Sequence, residues 1–128
     1  MSDCPFCVRA AGGETVAAND AAVAFPDAFP VAAGHTLVCP RRHVADLFAL
    51  DESEWGEVWA LVRKVQRLLA TEVDADGWNV GVNAGEAAGQ TVEHAHVHLI
   101  PRRAGDVADP RGGVRWVLPD QADYWSQR

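Results

Sequence analysis

In the first forty residues the apolar positions come in short runs, TVAA, AAVAF and HTLVC, bounded by GG, ND, PD and AAG. Short apolar runs punctuated by turn-forming residues predict three strands joined by turns. From Asp51 the period changes. Trp55, Val58, Trp59, Val62, Val65, Leu68 and Leu69 recur three and four residues apart, behind an Asp51/Glu54 pair with capping-box spacing. This predicts one long helix over 51–73. WNVGVN then alternates as a strand, NAGEAAGQT reads as a glycine-containing loop, and HAHVHLI reads as a further strand halted at Pro101. Strands, one long helix, then more strands make an α+β fold with a mostly antiparallel sheet, since parallel βαβ units need several alternating helices.

Composition bounds the picture. A chain of 128 residues, 48% hydrophobic and 23% charged, is expected to form a single domain, 1–128, with a core at about 4–103 and a loop-rich tail, 104–128. Eleven Lys+Arg against 18 Asp+Glu leave a net charge of −7. That excludes an overall attraction to nucleic acid or an anionic membrane, so any phosphate must be held locally. The start MSDCPFCVRA has no basic segment leading into an apolar one, and the expectation is a cytoplasmic protein. Cys39, within TLVC, reads as a buried thiol. The Cys4/Cys7 pair reads as a metal half-site or as reduced thiols, because no strand precedes it to provide a thioredoxin-like context.

Three of the five histidines alternate in HAHVH, which as a strand puts His94, His96 and His98 on one face and Ala95, Val97 and Leu99 on the other. One polar position on a sheet face is unremarkable; three beside a glycine loop point to chemistry. At about 3.3 Å per residue His94 and His98 start roughly 13 Å apart, whereas ligands of one zinc lie within about 2.1 Å of it, so one straight strand cannot supply all three. A neighbouring pair sharing a metal remains open. His94 has other candidate co-ligands in Cys4, Cys7 and His43, and two thiolates with two imidazoles suit a tetrahedral structural zinc. His96 has the loop beside it. The backbone amides of Gly89, Gln90 and Thr91, the Thr91 hydroxyl and the Asn83 side chain are candidates for holding phosphate oxygens, with His96 facing phosphorus as a neutral nucleophile and His98 donating to the same group.

The segment GQTVEHAHVHLIPR resembles the signature of the histidine triad family, and AGHTLVCPRRH is similar to that family's GHxLVxPxxH segment. The likeness covers most of residues 4–103. It implies a five-stranded sheet with one long and one shorter helix, and a nucleotidyl hydrolase or transferase acting at the α-phosphate of a nucleoside phosphoramidate or dinucleoside polyphosphate. It further implies that His96 forms a nucleotidyl-histidine intermediate, that His98 contacts the phosphate, and that His35 orients the nucleophile from behind. Asn83, Gly89, Gln90 and Thr91 match the phosphate loop, Asp27 the ribose-binding acid, and Phe25 with Phe6 the wall of the base pocket. Cys4, Cys7, His43 and His94 match a zinc set; no organic cofactor is implied, and a homodimer is expected. Asn83 resembles the phosphoramidase branch, whereas GQT and PRRAGD lean toward the fragile-histidine-triad branch. The competing reading is a catalytically silent nucleotide-binding or protein-interaction module that keeps a structural zinc.

Overall fold

The structure, a computed structural model, describes residues 3–126; the ends of the expected 1–128 domain lie outside them. Five strands form one sheet in the order β1-β2-β3-β5-β4: β1 (Ala17–Ala18), β2 (Ala22–Pro26), β3 (Thr36–Pro40), β4 (Gly77–Gly81) and β5 (Val97–Arg102). Every pairing is antiparallel. Two helices join them, α1 (Pro5–Ala11) and α2 (Glu52–Ala70).

Alternation along the strands assigns the faces. Ala22, Ala24, Val38, Val97 and Leu99 pack against Val58, Leu61, Val62, Val65 and Leu69 of α2. Their neighbours Val23, Phe25, Leu37 and Cys39 point the other way and are covered by Phe6 and Ala10 of α1. Covering on both sides makes β2 and β3 read as continuous apolar runs. It also leaves the α1 side of β5 for its other set of residues, His98, Ile100 and Arg102.

The helix α2 starts with the capping box foreseen: the Glu54 amide donates to Asp51 Oδ1 (2.7 Å) and the Asp51 amide to Glu54 Oε1 (3.2 Å). It ends at Ala70, short of 73, with Thr71 as its cap. Trp59 packs at the border of the core while Trp55 is partly exposed beside Phe48. Strand boundaries moved more. TVAA contributes only Ala17–Ala18, and WNVGVN pairs as Gly77–Gly81. Pro101 does not halt β5, because the pairing with β3 stops at Leu99 and beyond it β5 has only β4 as neighbour, a position where proline is tolerated. Nor do His94 and His96 lie in the strand: β5 begins at Val97, and the bend before it is tied down by the Ala95 amide donating to the Val44 carbonyl (2.7 Å).

After β5 the tail folds back as 3-10 turns, Gly113–Val117 and Pro119–Gln121. Arg111 lies over the Trp125 ring and Arg115 over Tyr124, each 4.7 Å from the ring centre, while Arg115 also donates to the Gln121 and Ala122 carbonyls.

Candidate functional site

The CPFC sequence folds as the entry to α1. Cys4 caps it, taking the Cys7 amide on its sulfur at 3.4 Å, and Pro5 occupies the first turn, where its missing N–H costs nothing. Both sulfurs are thereby turned to one point. His94 donates from Nε2 to the Pro40 carbonyl (2.7 Å), which leaves its Nδ1 without a proton, 3.5 Å from each sulfur. His43 Nδ1 stands 3.3 Å from Cys7 Sγ. Tetrahedral zinc with Zn–S of about 2.3 Å and Zn–N of about 2.0–2.1 Å has S···N edges of about 3.6 Å. The four ligand atoms, all within 4.8 Å of one another, therefore fit a metal closely. The third cysteine is different: Cys39 is fully buried, and burial pushes its thiol up to about 12.

One turn of chain further on, His96 is 7% exposed and meets Phe6 edge-on at 4.8 Å. Its Nδ1 lies 2.8 Å from the His94 carbonyl oxygen. A carbonyl only accepts, so Nδ1 carries the proton and the lone pair of the neutral ring is at Nε2. A similar chain fixes His98. The Val31 amide donates to His35 Nδ1 (3.1 Å), so the neutral His35 ring keeps its proton on Nε2, which donates to His98 Nδ1 at 3.0 Å. His98 then holds its own proton on Nε2. Burial, and next the adjacent His96 and His35, bring His98 down to about 4, and burial lowers His35 despite the opposing pull of Asp27. His98 is therefore neutral at pH 7, and His35 is shifted toward its neutral form. His35 was expected behind the nucleophile, but its hydrogen bond goes to His98.

These groups border a cleft of about 650 Å³ reaching from His96 and His98 to Asn83, Gly89 and Thr91 on one side and to Phe6, Val8, Phe29 and Leu37 on the other. Asp27 lies in its wall, with Oδ1 accepting from the Phe29 amide (2.9 Å) and Oδ2 3.4 Å from His35 Nε2. Phe25 is not in the wall. It is fully buried beneath Phe6, because β2 alternation turns it into the core under α1. Residues the sequence did not mark, Val8 on α1 and Phe29 and Val31 in the loop after β2, supply exposed apolar surface instead; only the hydrophobicity of Phe29 and Val31 in a loop could have flagged them.

The expected cradle of three backbone amides is reduced. The Gly89 amide donates to Glu86 O (2.9 Å) and the Gln90 amide to Gly85 O (3.1 Å), closing the loop on itself. Gln90 braces it further, its Oε1 accepting from the Gly85 amide and its Nε2 donating to the Ala45 and Val92 carbonyls. Gly85 and Gly89 have φ of +95° and +97°, a region open to glycine and costly for other residues. Thr91 and Asn83 remain the loop's groups for an incoming oxygen.

A HIT domain profile matches residues 10–105. The chain belongs to the HIT domain family. It is similar to an uncharacterized HIT-like protein of Mycoplasma genitalium, 39% identical over 104 residues that cover 79% of this chain and 74% of that one. It is also similar to the asymmetrical bis(5'-nucleosyl)-tetraphosphatase of Schizosaccharomyces pombe, 42% identical over 86 residues, 67% of this chain and 47% of that enzyme. This HIT chain thus spans about half of that phosphatase. Among solved structures it resembles a Zn-bound histidine triad family protein from Mycobacterium smegmatis, with a TM-score of 0.76 and 32% identity over 84% of this chain and 81% of the other.

Proposed function

We propose that this protein is a nucleotidyl hydrolase or transferase that cleaves at the α-phosphate of a dinucleoside polyphosphate or a nucleoside phosphoramidate, through a phosphorus–nitrogen bond to His96. The observation that carries this reading is the hydrogen bond from His96 Nδ1 to the His94 carbonyl, which commits one ring nitrogen and leaves Nε2 as a lone pair in the cleft. The similarity to a bis(5'-nucleosyl)-tetraphosphatase supports the substrate class.

The nucleoside lies against Phe6, Val8 and Leu37, with its ribose toward Asp27 and its α-phosphate at Asn83, Thr91 and His98. His96 Nε2 attacks phosphorus; the bond from phosphorus to the leaving oxygen or nitrogen breaks, and its electron pair departs with that atom, a leaving nitrogen taking a proton from solvent so that it departs as a neutral amine. His98, neutral and carrying its proton on Nε2, donates to the phosphoryl group where charge accumulates. Each such fixed donor is worth roughly 2.7–4 kcal/mol in comparable sites. Water then attacks phosphorus from the vacated side and gives up a proton to solvent, and the electron pair of the His96–phosphorus bond returns to the ring. His35 acts as a positioning residue: it sets which nitrogen of His98 bears the proton.

Cys4, Cys7, His43 and His94 would hold a structural zinc, which ties α1 to the bend before β5 and supplies no step of the reaction. Among the described residues no helix is long and apolar enough to cross a membrane. The unpaired outer edge of β4, with Val80 exposed, offers a surface for a homodimer.

The test is trapping. Mixed with diadenosine polyphosphate or adenosine 5'-phosphoramidate labelled in the AMP moiety, the protein should yield an acid-labile labelled species. His96→Ala should yield none, with turnover reduced by about 10³-fold or more and an unaltered circular dichroism spectrum. Turnover without a labelled species, or normal rates in the variant, would refute the assignment.

A further inference from the structure

The polar row on β5 does not end at His98. The next residues on that face, Ile100 and Arg102, floor a second cavity of about 610 Å³, roofed by Val107, Pro110, Val114 and Trp116 of the tail. His98, His35 and Asn83 border both cavities. One reaches back to His96, the other forward to Arg102, and His98 is the partition.

The groups facing this second cavity select its guest. Arg102 donates through Nε and Nη2 to Asp106 and through Nη1 to Asn79 Oδ1 at 2.6 Å, while Arg111 is held by Asp109 at 2.9 Å. Arg102, the cation of the wall, is therefore held by Asp106 and Asn79, and Asp109 in the wall is paired with Arg111. Because Asn79 Oδ1 accepts from Arg102, its amide nitrogen is left as a donor toward Gly113, where an added Cβ would stand 3.5 Å from it. The Trp116 indole N–H donates to the Arg111 carbonyl (2.8 Å), which sets the plane of the ring, yet the residue is 46% exposed. An apolar slot with an oriented indole, one amide donor and no uncommitted cation suits a flat, uncharged heteroaromatic ring. It does not suit a phosphate.

We propose that this cavity binds the base of the leaving nucleotide, so that the chain's own tail builds a subsite for the second half of a dinucleoside polyphosphate. The inference rests on the reading above for the reacting phosphate and adds to it a preference in the leaving group. In-line attack by His96 puts the departing oxygen on the side of phosphorus away from Nε2. From His96 the row leads past His98 to the tail cavity, and the bridging phosphates cross the partition while the two bases occupy the two cavities.

Two measurements test it. In the first, kcat/KM is compared for diadenosine tetraphosphate and adenosine 5'-phosphoramidate, whose leaving group has no base. Trp116→Ala should lower the ratio of the two by about tenfold, mainly through KM of the dinucleotide, and Trp116→Phe should recover most of it. Val114→Trp, which fills the slot without removing the indole, should lower the ratio as well. A ratio that stays within twofold in Trp116→Ala and Val114→Trp overturns the proposal. In the second, titration calorimetry on His96→Ala protein, which lacks the proposed nucleophile, compares diadenosine tetraphosphate with AMP. The dinucleotide should bind about tenfold more tightly, and adding Trp116→Ala should remove that advantage. Equal affinities overturn the subsite even if His96 is adenylylated in the wild type. A retained advantage without any labelled His96 leaves the subsite standing and removes the catalytic reading instead.

Discussion

His98 is neutral because it is buried between two other imidazoles, and that has a measurable consequence. Its pKa falls to about 4, against an ordinary value near 6.5 in the unfolded chain. Between these values the unfolded state binds more protons than the folded one, so stability is full above about pH 6.5 and falls as pH drops toward 4. His35, lowered by its own burial, acts in the same direction. The urea midpoint should therefore decrease on acidification from pH 7 to pH 4.5, and His98→Gln should flatten that slope. A variant whose midpoint keeps the wild-type slope would show that His98 does not carry the acid sensitivity. The hydrogen bond from His35 also explains why one residue cannot be read alone: without the Val31 amide on Nδ1, nothing fixes which nitrogen of His98 donates.

Among the elements, the glycine loop is held by a side chain rather than by its own backbone alone. Gln90 spans the loop from Gly85 to Val92 and also reaches Ala45, so it sets the position of Thr91 without itself bordering the cleft. Gln90→Ala should lower kcat/KM by roughly 10²-fold through misplacement of the phosphate groups, the scale expected for displacements of about 1 Å. Gln90→Glu keeps the acceptor for Gly85 but loses the donor to the two carbonyls, and should fall between. Equal rates in all three proteins would return the loop to a plain turn. Element by element, periodicity is informative where a residue touches its sequence neighbours: the α2 stripe, its capping box and the alternation of His98 with Val97 and Leu99 in β5 are all readable. It is silent where the partner is remote. Nothing local shows that the pairing of β5 with β3 ends at Leu99 and leaves Pro101 with only β4 beside it, so in the sequence Pro101 reads as a stop. Nothing in AAVAF shows which of its two covered faces holds Phe25. The amides of Gly89 and Gln90 looked free in the sequence because the carbonyls that take them belong to the loop's own closed turns.

At the scale of the whole molecule, the four-residue Cys/His cluster joins parts of the chain that the sheet leaves apart. Cys4 caps α1 and Cys7 lies within it, His43 follows β3, and His94 precedes β5. Two consequences meet there. Phe6, between the two cysteines, is the aromatic wall against His96, and His94 supplies the carbonyl that fixes the His96 proton. A metal bound at the cluster would therefore order both the nucleoside wall and the nucleophile, from outside the cleft. Because ligands assemble only in the folded state, binding free energy adds to folding free energy. The purified protein should contain one equivalent of zinc by atomic absorption. Chelation should lower its melting temperature by several degrees, and Cys7→Ser should reduce both metal content and melting temperature. On the active-site side, the chelated protein should show a raised KM for nucleotide with a smaller change in kcat, since α1 carries the wall and the bend before β5 is held independently by the Ala95 amide. Loss of kcat alone, at unchanged KM, would place the effect on His94 and its carbonyl. A protein free of metal and as stable as wild type would reduce the cluster to packed thiols and imidazoles.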